Sequence, residues 1–457
     1  MIPKKDLQIF ELSKEFLERF QQSLDGKESE FIENILEGVN PADITEILYE
    51  FDADECRYVF SLLSNEINAA ILIDLDSDVR ETFIREFEIE QLAGFLEFMD
   101  SDDGADVLYQ MPIKRREEVI RSLENEEKAS NILDLLRYEE DVAGGLMAKE
   151  MIRANVNWSV QQCIEEIRIQ AENVEKVYSV YVVDDFDKLL GRVSLKRIIL
   201  SNANTKVESI YDKDLVSVET YMENEEVASI MRKYDMEAIP VVNARGKLVG
   251  RITIDDVVDF ITEMAEEERQ MMSGISTGVE EDDTVWMISK ARLPWLIIGM
   301  VGGFLGAQFM GLFKGEIILI PALAFFIPLI TATGGNVGIQ SSSIVVQSLA
   351  NPNVFADTMV RRLIKVLVVA VVNGIILAVM IFGAVIVFNR DQELAFTVSI
   401  ALFCVVLLAS FMGTITPLIL NKFGVNPALA SGPFITTAND LLGLAVYFSV
   451  AHLLYNL

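Results

Sequence analysis

Beyond Pro294 the chain consists of long uncharged stretches separated by short charged ones. They run from Pro294 to Phe313, Ile317 to Ala356, Val366 to Asn389, Leu394 to Asn421, and Phe423 to the C-terminus, the last interrupted only by Asp440. About 20 consecutive apolar residues span a bilayer as a helix, so the pattern predicts five membrane spans. Everything else in the chain has to be arranged around that block.

The charges are segregated to match. Beyond Pro294 lie six of the 38 Lys/Arg residues and five of the 70 Asp/Glu residues; the first 293 residues keep 32 basic and 65 acidic ones, a net charge of -33. A soluble half this acidic repels nucleic acid and anionic lipid and favours cations. Cys56, Cys163 and Cys404 lie far apart without CxxC spacing, so neither a zinc site nor a disulfide framework is predicted. The start of the chain, with Lys4, Lys5 and Asp6 ahead of an amphipathic run, lacks the apolar core of a signal peptide. The soluble half is therefore expected in the cytoplasm. On that placement the inner flanks hold Lys290, Arg292, Arg361, Arg362, Lys365 and Lys422, and the outer loops only Lys314 and Arg390. This satisfies the positive-inside rule and puts the C-terminus outside.

Two features of the spans point to ion passage. The second stretch has 40 uncharged residues with Pro328 and the run Thr331-Ala-Thr-Gly-Gly-Asn336-Val-Gly-Ile-Gln340, which predicts a broken helix lining a pore. Gly299, Gly302, Gly303 and Gly306 in the first span read instead as a helix-packing stripe. The second feature is Asp440, mid-span in Gly432-Pro-Phe-Ile-Thr-Thr-Ala-Asn-Asp440, where Thr436, Thr437 and Asn439 offer further oxygens. A carboxylate at that depth is costly unless it faces water or an ion, and no Lys or Arg occurs mid-span to pair with it. Glu316 is a weaker candidate in an outer loop, and His452, the one histidine, reads as interfacial. One carboxylate per chain is a poor divalent site, but a two-fold axis would bring two together. A homodimer with a wide ring of oxygens follows, suited to magnesium, which keeps its waters.

The soluble half is built from repeats. Asn40-Pro-Ala-Asp-Ile-Thr-Glu-Ile-Leu-Tyr49 matches Asp100-Ser-Asp-Asp-Gly-Ala-Asp-Val-Leu-Tyr109 at an offset of 60, among short amphipathic helical periods, and predicts a superhelical all-α domain. Val177-Tyr-Ser-Val-Tyr-Val-Val183 with Lys188-Leu-Leu-Gly-Arg-Val-Ser194 matches Met236-Glu-Ala-Ile-Pro-Val-Val242 with Lys247-Leu-Val-Gly-Arg-Ile-Thr253 at a constant offset of 59. Each copy predicts a helix, two strands and a second helix. The pair resembles tandem CBS domains, which often bind adenine nucleotides such as ATP. In the second copy Thr253 and Asp256 stand at the spacing used to hold ribose; the first has Ser194 but Arg197 in place of the carboxylate. From Asp255 to Arg292 an acid-rich helical connector leads to the first span.

An acidic helical repeat, a CBS pair, a connector, and five spans carrying Pro328-Leu-Ile-Thr-Ala-Thr-Gly-Gly-Asn-Val-Gly-Ile-Gln340 and Gly432-Pro-Phe-Ile-Thr-Thr-Ala-Asn-Asp440 resemble the MgtE family of magnesium channels over nearly the whole chain. Tyr138-Glu-Glu-Asp-Val-Ala-Gly-Gly-Leu-Met147 is similar to that family's junction between helical and CBS domains. The expected architecture is multidomain: an all-α superhelical domain (1–137), an α+β CBS pair (138–200 and 201–262), a plug-like connector (263–292) and an α-helical five-span membrane domain (293–457). The resemblance implies a homodimer with its pore on the dimer axis, Asp440 holding hydrated magnesium, and Asn336 and the backbone near Thr436 assisting. Glu316 is carried as an accessory pore acid. It further implies that cytosolic Mg2+ bridges the soluble domains to close the pore. The acids expected to take part are Asp102, Asp103 and Asp106 of the helical repeat, and Asp255, Asp256, Asp259, Glu263, Glu266 and Glu267 of the CBS tail and connector. Where some family members carry an acid before the Pro-Ala-Leu of the last span this chain has Asn426, so an accessory ion site is not expected there.

The expected activity is thus import of Mg2+ across a bacterial inner membrane, with a broader Mn2+ or Co2+ transporter lacking strong gating as the alternative. A signalling protein merely anchored in the membrane would need one or two spans, not five. An anion carrier would want basic groups where Asp440 stands, and no Ser/His/Asp, HExxH or Walker pattern points to an enzyme.

Overall fold

The computed structural model describes residues 12–171, 174, 176–276, 279, 285–350, 359–389, 391–430 and 432–455. Residues 1–11 of the first expected domain, 277, 278 and 280–284 of the connector, and the loop charges Asp357 and Arg390 lie outside them. The chain divides into two compact units, Met1–Ile261 and Thr262–Leu457.

The first unit opens with ten short helices among the described residues, from α1 (Lys14–Asp25) to α10 (Glu126–Leu135), including α3 (Pro41–Leu48), α4 (Ala53–Leu62) and α8 (Ser101–Tyr109). Local chemistry sets their starts. Asn40 caps α3 ahead of Pro41, and Asp52 and Glu55 form a reciprocal capping box on α4. At eight to twelve residues these helices are too short to stand alone in water, so packing must hold them. Phe20, Ile32, Ile44, Ile47, Val59, Ile71 and Leu72 form a core with almost no exposure, and it continues through Met147 into Val218, Ile239 and Ile252. The helical repeat therefore shares its core with the second CBS copy; the first copy has its own, around Ile152, Val160, Cys163, Val180 and Val193.

Each CBS copy carries a three-stranded sheet. β1 (Ile152–Asn155), β2 (Val180–Val183) and β3 (Leu189–Val193) line up in that order, with β1 parallel and β3 antiparallel to β2. After them β4 (Val218–Glu219), β5 (Ala238–Val242) and β6 (Leu248–Thr253) repeat the arrangement. A helix joins the first two strands of each sheet, α11 (Val160–Gln170) in one copy and α13 (Asn224–Tyr234) in the other. Even the irregularity recurs, at Val182/Val183 and Val241/Val242, so the 59-residue repeat is preserved in register. The copies differ beyond their last strands: α12 (Leu195–Leu200) has six residues, whereas α14 (Ile254–Met272) runs for 19. The expected boundary at 262/263 thus falls inside one continuous helix.

In the second unit the described residues hold five helices long and apolar enough to cross a membrane, making this a multi-pass membrane protein. They are α15 (Val285–Leu312), α17 (Ile327–Ala350), α18 (Met359–Asn389), α19 (Gln392–Lys422) and α20 (Pro433–Leu454), with a short α16 (Lys314–Leu319) between the first two. α15 begins nine residues before Pro294 and carries that proline without ending. α19 is the buried helix of the group, with Leu394, Val398, Ala401, Val405, Ala409 and Gly413 all covered. α18 instead exposes Leu367, Val368, Val372, Ile376 and Val379, a face suited to lipid.

The expected break at Thr331–Gln340 is not there, because α17 is regular throughout that run. Irregular backbone lies just before it, in the 3-10 segment Pro321–Phe326, and before α20 in Pro427–Ala430 and at Gly432, whose φ is +61°. The glycines of the run serve close packing. A Cβ on Gly338 would sit 1.9 Å from Asn439 Nδ2, and one on Gly334 3.0 Å from Val405. Of the first-span glycines, Gly302 packs on Thr437 while Gly299 and Gly303 meet nothing within 4 Å.

Candidate ion-binding sites

In the membrane unit, α20 places Thr436 and Asp440 one helical turn apart on one face. Both look onto Gly335 of α17, whose Cβ, if present, would lie 3.1 Å from Thr436 Cγ2 and 3.7 Å from Asp440 Oδ1. Glycine there leaves the carboxylate room. Asp440 is half-buried, and no cation among the described residues pairs with it. Thr436 donates its hydroxyl proton to Gly432 O at 2.9 Å, which leaves its oxygen lone pairs as possible ligands. Asn336 follows Gly335 and is exposed.

Three expected contributors are placed elsewhere. Thr437 packs on Gly302 of α15, and Asn439, 2% exposed, is buried against Gly338 with neither polar side-chain atom hydrogen-bonded among the described residues. Glu316 on α16 meets His452, with Nδ1 3.4 Å from Oε1. That histidine is twelve residues along α20 from Asp440, about 18 Å at 1.5 Å per residue. The structure therefore parts Glu316 from the Asp440 face.

The first unit gathers a second group. Asp100, Asp102 and Asp103 stand at the N-terminus of α8, where the helix dipole favours negative charge. Ligand atoms of Asp100, Asp102 and Glu150 all lie within 4.8 Å of one another. Ser101, fully buried, ties the group together: its N–H and hydroxyl donate to Glu150 Oε2 at 3.1 and 2.6 Å, and its Oγ accepts from Lys149 N at 2.9 Å. Asp256, on the first turn of α14, is close enough to raise the pKa of both Asp102 and Asp103.

So many carboxylates in one buried place resist ionisation. Burial, then Asp103, Asp256, Asp100 and Glu150, hold Asp102 well above the usual carboxylate range; burial, then Asp256, Asp100 and Asp106, push Asp103 up to about 8. Asp102 Oδ1 is buried and has no hydrogen-bond partner among the described residues. All-oxygen donors, surplus negative charge and an orphaned carboxylate oxygen fit a hard divalent cation. Partial desolvation at the surface, then Asp255 and Asp74, also raises Asp259.

The other expected acids are spread wider. Asp106 and Asp259 are exposed, and Asp255 pairs with Lys176 at 3.9 Å. Glu263, Glu266 and Glu267 sit on the later turns of α14, which belong to the second unit, and Glu266 pairs with Arg269 at 3.9 Å. Sequence reasoning missed Asp100, Glu150 and Arg251 in this group, since nothing local marks Glu150 among 70 acids and its partner Ser101 lies 49 residues away.

The two ribose candidates bind each other. Thr253 N and Oγ1 donate to Asp256 Oδ2 at 3.1 and 2.5 Å, a cap on the start of α14. The adjacent cleft, lined by Met151, Lys176, Tyr178, Ser179, Tyr181 and Arg251, encloses about 10 Å³, room for about one water and not for a nucleotide base.

Comparison with known proteins identifies the modules that carry these groups. A model of the MgtE divalent cation transporter domain matches residues 327–450, one of the MgtE intracellular N domain matches 39–141, and CBS domain models match 141–203 and 207–263. The chain is 30% identical over 441 residues to a magnesium transporter MgtE of Thermus thermophilus, covering 95% of this chain and 97% of that one. It is 29% identical over 429 residues to the Bacillus subtilis magnesium transporter MgtE, covering 93% and 94%. A crystal structure of the cytosolic domain of the Mg2+ channel MgtE in complex with ATP superposes with a TM-score of 0.51 at 30% identity, over 53% of this chain and 99% of that one. With the three modules in the same order and relatives matched nearly end to end, the chain belongs to the MgtE family of divalent cation transporters.

Proposed function

We propose that this protein is a magnesium channel of the bacterial cytoplasmic membrane, working as a homodimer with Asp440 and Thr436 of each copy facing a pore on the two-fold axis. The observation that carries this reading is the mid-span Asp440 carboxylate, half-buried beside Thr436, opposite Gly335, and without a paired cation among the described residues. Such a group is tolerated where it meets water or an ion. Two of them across an axis suit a cation that keeps its hydration shell, and the relatives named as magnesium transporters support that ion. Asn336, next to Gly335, adds an amide oxygen to the path. The basic residues flanking the spans favour a cytoplasmic N-terminus and an outward C-terminus.

The acidic group between α8, Glu150 and Asp256 is the regulatory site in this reading. Magnesium there relieves the repulsion among carboxylates and favours the state in which helical repeat and CBS pair are held together, closing the pore when cytosolic Mg2+ is plentiful. Asp106, Asp255, Asp259, Glu263, Glu266 and Glu267 add to the field that draws the ion in. An adenine nucleotide is proposed as a second ligand, with Thr253 and Asp256 at its ribose; the ATP complex of the related cytosolic domain supports it. Occupation requires the small cleft to open and the Thr253–Asp256 bond to give way. Ion flux into proteoliposomes, comparing Mg2+, Mn2+, Co2+ and Ca2+ with and without a membrane potential, tests the whole reading. Equal flux of all four ions would replace it with a broad divalent transporter, and flux independent of internal Mg2+ would remove the gate.

A further inference from the structure

Two guanidinium groups act on the acidic group: Arg80, which lowers the pKa of Asp103, and the buried Arg251, which pairs with Asp100. Arg251, on β6, is 5% exposed. Its Nε donates to Glu150 O at 2.5 Å and its Nη2 lies 3.5 Å from Asp100 Oδ2. The guanidinium also sits 5.5 Å from the centre of the Tyr178 ring, with Nη1 3.5 Å from Lys176 O. One side chain thus reaches the start of α8, the entry to the first CBS copy and the segment before β2, from within the second copy.

The CBS fold does not demand this. Arg192 holds the same place 59 residues earlier, in Gly191-Arg-Val-Ser194 against Gly250-Arg-Ile-Thr253, and its side chain is exposed. A buried guanidinium is costly unless it is paired and hydrogen-bonded. Here the surplus carboxylates supply the pairing.

We propose that Arg251 is the buried resident cation of the acidic group and the positioning residue for its metal ligands, holding Asp100 and the Glu150 segment against the second CBS copy without any ion. The inference rests on the reading that the group takes Mg2+, and it deepens that reading. A divalent ion then acts on a partly neutralised group, so closure has a metal-independent part and the ion adds only an increment. An arginine is fixed in stoichiometry, whereas the ion follows its concentration, so Arg251 sets the baseline from which Mg2+ regulates.

Hydrogen exchange read by mass spectrometry on the full chain in detergent, in EDTA and in MgCl2, tests this. In EDTA, Arg251→Gln should speed exchange in α8 and in Lys149–Ile152 by about tenfold or more over wild type, as expected when a buried ion pair is broken. α3 and α4 should be unchanged. Arg251→Lys, which keeps the charge, should recover part of the protection, and adding Mg2+ should slow exchange more in the Gln variant than in wild type. Equal exchange of wild type and Arg251→Gln in EDTA, or a Lys variant as unprotected as the Gln one, overturns the proposal. Should α3 and α4 also lose protection, Asp100→Asn decides instead: faster exchange in α8 with α3 intact supports the proposal, and wild-type exchange refutes it. If Mg2+ alters exchange in none of these proteins, the metal reading of the site fails while the EDTA comparison still judges Arg251.

Discussion

Gly338 of α17 and Asn439 of α20 meet so closely that a Cβ on the glycine would lie 1.9 Å from the amide nitrogen of the asparagine. At the same level the Gly338 carbonyl oxygen lies 2.4 Å from where a Cβ on Gly413 of α19 would stand. Three helices are thus drawn together at one point, one turn of α17 from the glycine that Asp440 faces. Asn439 fills the junction, which fixes the rotation of α20 and with it the approach of Thr436 and Asp440 to Gly335, one turn earlier on α17.

Gly413→Ala should therefore destabilise the membrane unit. The added methyl meets backbone that cannot step aside, and overpacking of this kind costs about 1–3 kcal/mol. Gly303→Ala, inside α15 with nothing within 4 Å of its added methyl, should instead leave stability unchanged or raise it by up to about 1 kcal/mol. Thermal unfolding of both variants in detergent checks the pair; a Gly413→Ala protein as stable as the Gly303→Ala one would refute the tight junction.

Asp440→Asn should abolish divalent uptake while leaving unfolding temperature and assembly state unchanged, because it removes the mid-span charge and keeps the shape. Thr436→Val should retain a measurable fraction of the flux, since the carboxylate stays in place, while the hydroxyl's lone pairs and its hydrogen bond to Gly432 O are both lost. Uptake into proteoliposomes measures both. Full flux through the Asp440→Asn protein would remove Asp440 from the pore.

Much of this was readable from the chain. The five spans are legible because charges fall only between them, Asp440 apart, and the CBS pair because a constant 59-residue offset preserves strand register down to the bulge at Val182 and Val241. Thr331–Gln340 misled because Gly-Gly-Asn marks irregular backbone in water, whereas between membrane helices glycine marks close approach. The contact of Glu316 with His452 is not legible in the sequence, because only the tertiary fold brings α16 to the end of α20. Arg251 and Asp100, 151 residues apart, come together only through the tertiary fold, where no local spacing announces them.

Asp102→Asn should act in opposite directions with and without Mg2+. The wild-type carboxyl is buried, crowded by like charges and orphaned at Oδ1, so neutralising it should stabilise the metal-free first unit. The same change removes a ligand, and the stabilisation by Mg2+ should shrink; a bound ion at 100 times its Kd contributes about 2.7 kcal/mol. Unfolding in EDTA and in MgCl2 distinguishes the two effects. A variant that is less stable in EDTA yet keeps the full Mg2+ response would mean that Asp102 is structural.

The thiols of Cys56 and Cys163 should resist modification in the native protein. Both are buried, and burial pushes them up to about 12 and about 11, with Glu55 and Asp52 adding to the effect at Cys56. At pH 8 almost no thiolate is present at either position, and the thiolate is the reactive form. Titration with a thiol reagent should show the two reacting only after denaturant is added. Rapid labelling of either without denaturant would indicate that its core opens locally.

Nucleotide binding can be tested apart from the metal. Asp256 belongs to both proposals, so its substitution would not tell them apart; Thr253 is the sharper choice, being 5% exposed and bonded to Asp256 through its hydroxyl. In EDTA, ATP should raise the unfolding temperature of the wild-type chain, and Thr253→Val should lose that shift while keeping its stabilisation by Mg2+. The cleft of about 10 Å³ must open first, so binding should be slower than diffusion and should saturate with ATP concentration, the pattern of a site that exists only in a minor conformation. Stopped-flow fluorescence with an adenine nucleotide analogue measures that rate. An ATP shift of equal size in the Thr253→Val protein would move the nucleotide elsewhere, and no shift in the wild type would leave the CBS pair as a scaffold that Arg251 already fills.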